Sequence, residues 1–213
     1  MLLLNKFNVV AHHVLIVTRK FEQQTDHLNL QDLEATWQVV QAVPHPGGLA
    51  YFNCGPESGA SQPHKHVQVV PLPLADNPAV IPSPLAQLMD HTWQEQGLED
   101  GDVASNRQLP YQNFFSKLSP RTTPSQLLSI YKQLMQHCSS DKVPPSSYNV
   151  LLTTKFIVLM PRRQENVGPV AINALGFAGT ILVNSKAGLE YIHEKGPVTI
   201  LEVAGCPWAD APS

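Results

Sequence analysis

Two apolar runs joined by a stretch of small residues set the tightest limit on how this chain folds. Leu49-Ala50-Tyr51-Phe52-Asn53 reads as one strand and Lys65 to Leu72 as the next. Between them lies Asn53-Cys54-Gly55-Pro56-Glu57-Ser58-Gly59-Ala60-Ser61-Gln62-Pro63, with the glycine, proline and serine of a turn. A turn loop of this length fits an antiparallel pair. The second strand opens with His64-Lys65-His66-Val67-Gln68. Side chains alternate along a strand, so His64, His66 and Gln68 project together while Lys65 and Val67 point the other way. Lys65 is therefore expected as a solvent or sheet-face charge.

Two imidazoles and a carboxamide then stand at the mouth of a loop whose backbone N–H groups can cradle an anion. That set suits phosphoryl or nucleotidyl transfer: a neutral imidazole attacks phosphorus while its neighbours donate hydrogen bonds to the charge that develops. A His-x-His pair also occurs as an ordinary polar edge or in a metal site. Zinc needs further ligands, however, and Cys54, Cys138 and Cys206 are scattered with no Cys-x-x-Cys pair. No protein metal site is expected.

The 213 residues allow one domain with a sizeable core, and 43% apolar with 15% charged residues is a globular composition. A net charge of −3 argues against a general nucleic-acid binder. Lys6, Arg19, Lys20, Lys65, Lys155, Arg162 and Arg163 are expected mostly as surface charges. Three irregularly spaced cysteines make no disulfide framework, and no apolar run is long enough to span a membrane. Met1-Leu2-Leu3-Leu4 is too short for a signal segment. The expected compartment is a reducing cytoplasm.

Asn8 to Thr18 is rich in valine and isoleucine and predicts a central strand covered on both faces. Asn29 predicts a helix N-cap, with Asp32 in the first turn and Leu30, Leu33, Trp37 and Val40 at helical spacing before Pro44. Pro84 to Gln96 predicts a helix, and Thr123-Pro124-Ser125-Gln126 a strong helix start. Tyr148–Leu152 and Phe156–Met160 predict strands, with Thr180–Val183 a further one; Ala187–Glu194 predicts a short closing helix. Helices between mostly antiparallel strands give an α+β fold.

Asn5-Lys6-Phe7-Asn8-Val9-Val10-Ala11-His12-His13-Val14-Leu15-Ile16-Val17, the following helix, Gly55-Pro56-Glu57-Ser58-Gly59 and His64-Lys65-His66-Val67-Gln68 together resemble a histidine-triad core. Gln68 stands where a third histidine would. With Ser58-Gly59-Ala60-Ser61-Gln62 ahead of it, this glutamine version resembles the diadenosine tetraphosphate phosphorylases, also called ATP adenylyltransferases. Tyr148-Asn149-Val150-Leu151-Leu152-Thr153 and Asn173-Ala174-Leu175-Gly176-Phe177-Ala178-Gly179 resemble that family's C-terminal part. The resemblance implies one histidine-triad-like domain over 1–213: a catalytic core in 1–74, a helical insertion in 75–145 and C-terminal strands in 146–205.

It also implies a reaction, in which diadenosine tetraphosphate and phosphate give ATP and ADP through a covalent adenylyl-histidine. His66 would be the nucleophile. His64 would bond the phosphate or leaving group, and Gln68 would hold the transferred phosphate. Asn53, Ser58, Gly59, Ser61 and Gln62 match the phosphate loop, and Asn5 the nucleotide contact. His13 is expected to be structural, and His27, His45, His91, His137 and His193 carry no assigned role. No tightly bound cofactor is implied; magnesium or manganese would arrive with the polyphosphate. The partners would be a dinucleoside polyphosphate and phosphate, with neither nucleic acid nor membrane, and the protein a monomer or homodimer. The family carries a segment ahead of the one matching Asn5, so a late start here implies a weakened adenine pocket or an uncovered sheet edge. Alternatives are a dinucleoside polyphosphate hydrolase, an enzyme phosphorolysing adenosine phosphosulfate, and a truncated, weakly active nucleotide-binding protein.

Overall fold

Each strand of the main sheet forms where β-branched or aromatic residues cluster between turn formers. The computed structural model describes residues 1–6, 10–74, 84–139 and 144–209. Seven strands, β1 (Leu2–Leu4), β2 (Val14–Val17), β3 (Gly48–Cys54), β4 (His66–Pro71), β5 (Phe114–Lys117), β6 (Tyr148–Leu152) and β7 (Phe156–Pro161), pair in the order β1-β2-β4-β3-β6-β7-β5. Every pairing is antiparallel. The predicted β3–β4 hairpin therefore exists, and its register sets Tyr51 opposite Gln68 and Ala50 opposite Val69.

Alternation sorts the strand residues between two apolar layers. On one side, α1 (Leu30–Ala42) and α3 (Pro124–His137) bury Leu33, Trp37, Val40, Leu127, Tyr131 and Leu134 against Ala50, Phe52, Val67, Val69 and Val150. On the other, α2 (Pro84–Gln96), α4 (Ala174–Phe177) and α6 (Pro197–Ala204) pack on Leu49, Tyr51, Leu151, Val158 and Met160. A short ribbon, β8 (Asn166–Val167) with β9 (Val170–Ala171), and α5 (Lys186–Lys195) complete the C-terminal part. Both predicted helix starts are closed capping boxes, Asn29 with Asp32 and Thr123 with Gln126.

Several expectations are corrected. The strand read over Asn8–Thr18 is confined to Val14–Val17, because the chain turns at His12, which has a φ of 60°; Asn8 and Val9 lie outside the described residues. β2 is half-buried rather than central, because Leu2–Leu4 pairs on its outer side as the sheet edge. Segment 75–145 is not purely helical, since β5 forms the opposite edge. Thr180–Val183 is no strand: Gly179, at φ +100°, reverses the chain, and the Thr180 N–H donates to Leu175 O at 2.9 Å. The C-terminal segment is consequently half helical.

Lys65 is the largest correction. It does point away from the histidine face, but it is buried beneath α1 at 2% exposure. Its ammonium pairs with Asp32 at 2.6 Å and Glu22 at 3.3 Å and donates to His27 O at 2.8 Å. Its charge is answered by Asp32 of the helix cap together with Glu22. Asp32→Ala removes a cap and a buried counter-ion together and is expected to cost about 3 kcal/mol. Thr123→Ala, which removes a cap alone, is expected to cost about 1 kcal/mol. Urea unfolding of the two variants measures the difference, and equal losses would mean that the Lys65 pair adds nothing.

Candidate active site

The site is built on the face of β4 that points away from α1. There β3 and β4 diverge beyond Tyr51 and Gln68, and the backbone needs another partner. Residues 22–24 supply it: Lys65 N–H donates to Glu22 O at 2.9 Å and Gln24 N–H to Pro63 O at 2.8 Å. The buried Gln24 side chain then fills the fork. Its Oε1 accepts from His66 N–H at 2.8 Å, and its Nε2 donates to Asn53 O at 2.7 Å and His66 O at 3.3 Å. The main chain around His66 is thus held on both sides.

Hydrogen-bond polarity fixes which nitrogen is available. His66 Nδ1–H donates to His64 O at 2.8 Å, which leaves Nε2 as the nitrogen with the lone pair. Burial pulls the His66 pKa below its ordinary value, and the nearby His64 adds to this, while the backbone bond opposes it. The ring is therefore neutral and nucleophilic at pH 7. The Thr18 hydroxyl donates to Lys20 O at 2.7 Å, so it must accept from His64 Nε2–H at 2.9 Å. That bond orients the His64 ring beside its neighbour.

Gln68 is oriented by a chain that starts at Asn5. Asn5 Nδ2–H donates to His13 Nδ1 at 3.0 Å, His13 Nε2–H reaches Tyr51 Oη at 3.3 Å, and the Tyr51 hydroxyl donates to Gln68 Oε1 at 2.9 Å. With its oxygen occupied, Gln68 presents its NH2 group as a donor. Burial lowers the His13 pKa, and the nearby Gln68 side chain only partly offsets this. The neutral ring matches its role as acceptor from Asn5. His13 is therefore a buried histidine that reaches the site through Tyr51.

The glycine-rich loop is held from the C-terminal half. A Cβ on Gly55 would lie 2.1 Å from Ser146 O, and one on Gly59 2.5 Å from Ile172 O, and both glycines have positive φ. Asn53 Oδ1 accepts from Asn149 Nδ2 at 2.8 Å and from Ala174 N–H at 3.0 Å, the first residue of α4. The buried Ser58 hydroxyl donates to Gly55 O at 2.6 Å. These Asn53 and Ser58 groups, expected to face phosphates, are used to shape the loop. Ser61 and Gln62 are exposed where the loop runs into His64. Arg162, expected on the surface, is buried: its guanidinium donates to Ser58 O, Asn149 Oδ1, Ala204 O, Gln164 O and Ile172 O. Burial pulls its pKa down to about 10, and Glu165 is foremost among the neighbours that oppose this.

A cavity of about 310 Å³ also touches His66, but it lies on the α1 side, lined by Ile16, Val67, Asp32 and Lys65. Thr18, Arg19 and Glu22 also line it. Among the described residues, no group of three or more His, Cys, Asp or Glu side chains is placed to hold a metal ion, and no helix is long and apolar enough to cross a membrane.

The family model of the Ap4A phosphorylase N-terminal domain matches residues 1–91, and that of the ATP adenylyltransferase C-terminal domain matches residues 107–207. The solved yeast Ap4A phosphorylase Apa2 is 30% identical and superposes with a TM-score of 0.78 over 97% of this chain and 74% of its own. The chain belongs to the Ap4A phosphorylase family. Apa2 in complex with AMP gives a TM-score of 0.80 at 30% identity, over 99% of this chain and 74% of that one. Diadenosine 5',5'''-P1,P4-tetraphosphate phosphorylase 2 of Saccharomyces cerevisiae is 33% identical over 91% of this chain, and Protein APA1 of the same organism 28% identical over 91%. The chain spans 65% and 64% of the length of those two relatives.

Within this Ap4A phosphorylase fold, the structure gathers His64, His66 and Gln68 on one face and links Asn5 to them through His13 and Tyr51. Because the folded pKa values of His66 and His13 are lowered, the unfolded chain binds more protons below its histidine pKa near 6.5. Stability is therefore full above pH 6.5 and falls as the pH drops from there through the lower folded values. NMR titration of the ring protons is expected to place both midpoints below 6.5; midpoints at or above it would contradict the burial argument.

Proposed function

We propose that this chain is a nucleotidyltransferase that phosphorolyses diadenosine tetraphosphate to ATP and ADP through an adenylyl group carried on His66. The observation that carries the reading is the His66 Nδ1–H bond to His64 O, which keeps the lone pair on Nε2. Nε2 attacks the α-phosphorus, the bond from that phosphorus to the bridging oxygen breaks, and ATP departs. A phosphate oxygen then attacks the same phosphorus, the P–N bond breaks and ADP leaves, so two in-line displacements replace one. Gln68, its oxygen occupied by the Tyr51 hydroxyl, donates from its NH2 group to a phosphoryl oxygen. His64 faces the departing side.

The likeness to Apa2 solved in complex with Ap4A, 29% identical with a TM-score of 0.78, supports this substrate class. Magnesium or manganese enters with the polyphosphate. Three free cysteines, two of them buried, suit a reducing compartment such as the cytoplasm. The carboxamide of Gln68 transfers no proton, which favours an anionic acceptor over water.

Intact mass after brief incubation with diadenosine tetraphosphate and magnesium, without phosphate, tests the route. The wild type is expected to gain an acid-labile AMP adduct that phosphate discharges, and His66→Ala to gain none. An adduct on His66→Ala, or turnover that never passes through an adduct, would refute the assignment. Tyr51→Phe is expected to lower kcat about fivefold, the effect of one hydrogen bond, with KM nearly unchanged. Gln68→His is expected to raise the ratio of hydrolysis to phosphorolysis, and an unchanged ratio would remove the carboxamide argument.

A further inference from the structure

Phe21 is 60% exposed, and among the described residues it is the one Phe, Tyr or Trp side chain that stands mostly in water. It is not on a loose tail. Upstream, Thr18 accepts from His64 Nε2–H and donates to Lys20 O; downstream, Glu22 O and Gln24 N–H bond the chain on either side of His64. The ring is thereby fixed at the rim, with its centroid 5.4 Å from that of His64 and a 40° tilt. Arg19 and Lys20, both exposed, precede it on the same segment. The fold gains little from a ring left in water, whereas a flat π face beside two cations suits a nucleobase followed by phosphates.

We propose that Thr18–Phe21 forms the subsite for the departing nucleoside polyphosphate, with Phe21 stacking on its base and Arg19 and Lys20 supplying positive charge for its phosphates. The position along β4 selects the departing half over the transferred one. Gln68, oriented by Tyr51, lies on one side of His66 and takes the phosphate that is transferred; His64 and then Phe21 lie on the other. This inference rests on the phosphorolysis reading.

Two adenylyl donors separate the halves. Diadenosine tetraphosphate releases ATP, which carries a base on the departing side. ADP releases phosphate, which carries none, and its reaction is read as exchange of labelled phosphate into ADP. For Phe21→Ala, KM for diadenosine tetraphosphate is expected to rise about tenfold, within the range for loss of one stacked base. The ADP exchange, which leaves this subsite out, is expected to change by less than about twofold. Phe21→Trp is expected to restore the dinucleotide KM, because an indole presents an equal or larger face. Equal losses with both donors at an unchanged melting temperature would overturn the inference, since Phe21 would then act only by steadying His64. No change with either donor would overturn it as well. If the wild type formed no adduct from either donor, the phosphorolysis reading would fall and take this one with it; the other two failures strike the subsite alone.

Discussion

The buried ammonium of Lys65 is the constraint on which the histidine face depends. A cation at 2% exposure is tolerated only where its charge and all its donors are answered. Here Asp32, Glu22 and the His27 carbonyl do so together. Those three groups come from the α1 cap and from the segment leading into it. One side chain therefore fixes that segment against β4 at the residue between His64 and His66. Since neighbours on a strand point oppositely, whatever holds Lys65 beneath the sheet holds His64 and His66 above it.

A second buried cation performs the same service from the other half of the chain. Arg162, at the end of β7, bonds carbonyls of residues 58, 164, 172 and 204 and the side chain of Asn149. Five acceptors around one guanidinium offset its lost hydration. They also tie the glycine-rich loop to the C-terminal helices. The loop can bend as it does because Gly55 and Gly59 leave no Cβ to strike residues 146 and 172. Its shape is thus imposed by long-range contacts, and its own turn propensity only permits it.

This division explains what could be read in advance. The β3–β4 hairpin, both capping boxes and the grouping of His64, His66 and Gln68 follow from alternation, cap chemistry and turn composition, which are local. Gln24, Arg162 and the burial of Lys65 depend on which distant carbonyls and carboxylates arrive beside them. Nothing within a few positions of Gln24 marks it as the residue that fills the fork between β3 and β4. Tyr51 lies between these cases, since the strand pair was legible but the register that sets it opposite Gln68 was not. Thr180–Val183 failed for a related reason: its β-branched run was genuine, but a turn at Gly179 directs it onto α4 and away from any strand.

The polarity of the site follows from neutrality rather than charge. His13 accepts from Asn5 at one nitrogen and donates toward Tyr51 from the other, and only the uncharged ring can do both. A proton added at Nδ1 would face the Asn5 amide, itself a donor there, and the two would have to part. Tyr51 would keep its hydroxyl, but the ordered chain that sets the direction of its bond to Gln68 would lose its first link. Burial, by disfavouring the imidazolium at both His13 and His66, thus protects two things together: the lone pair on His66 Nε2, and the orientation of the Gln68 amide. A third imidazole at position 68 would need no such chain, because it can accept or donate by exchanging a proton. The carboxamide has no such freedom, and its orientation has to be built into the protein around it.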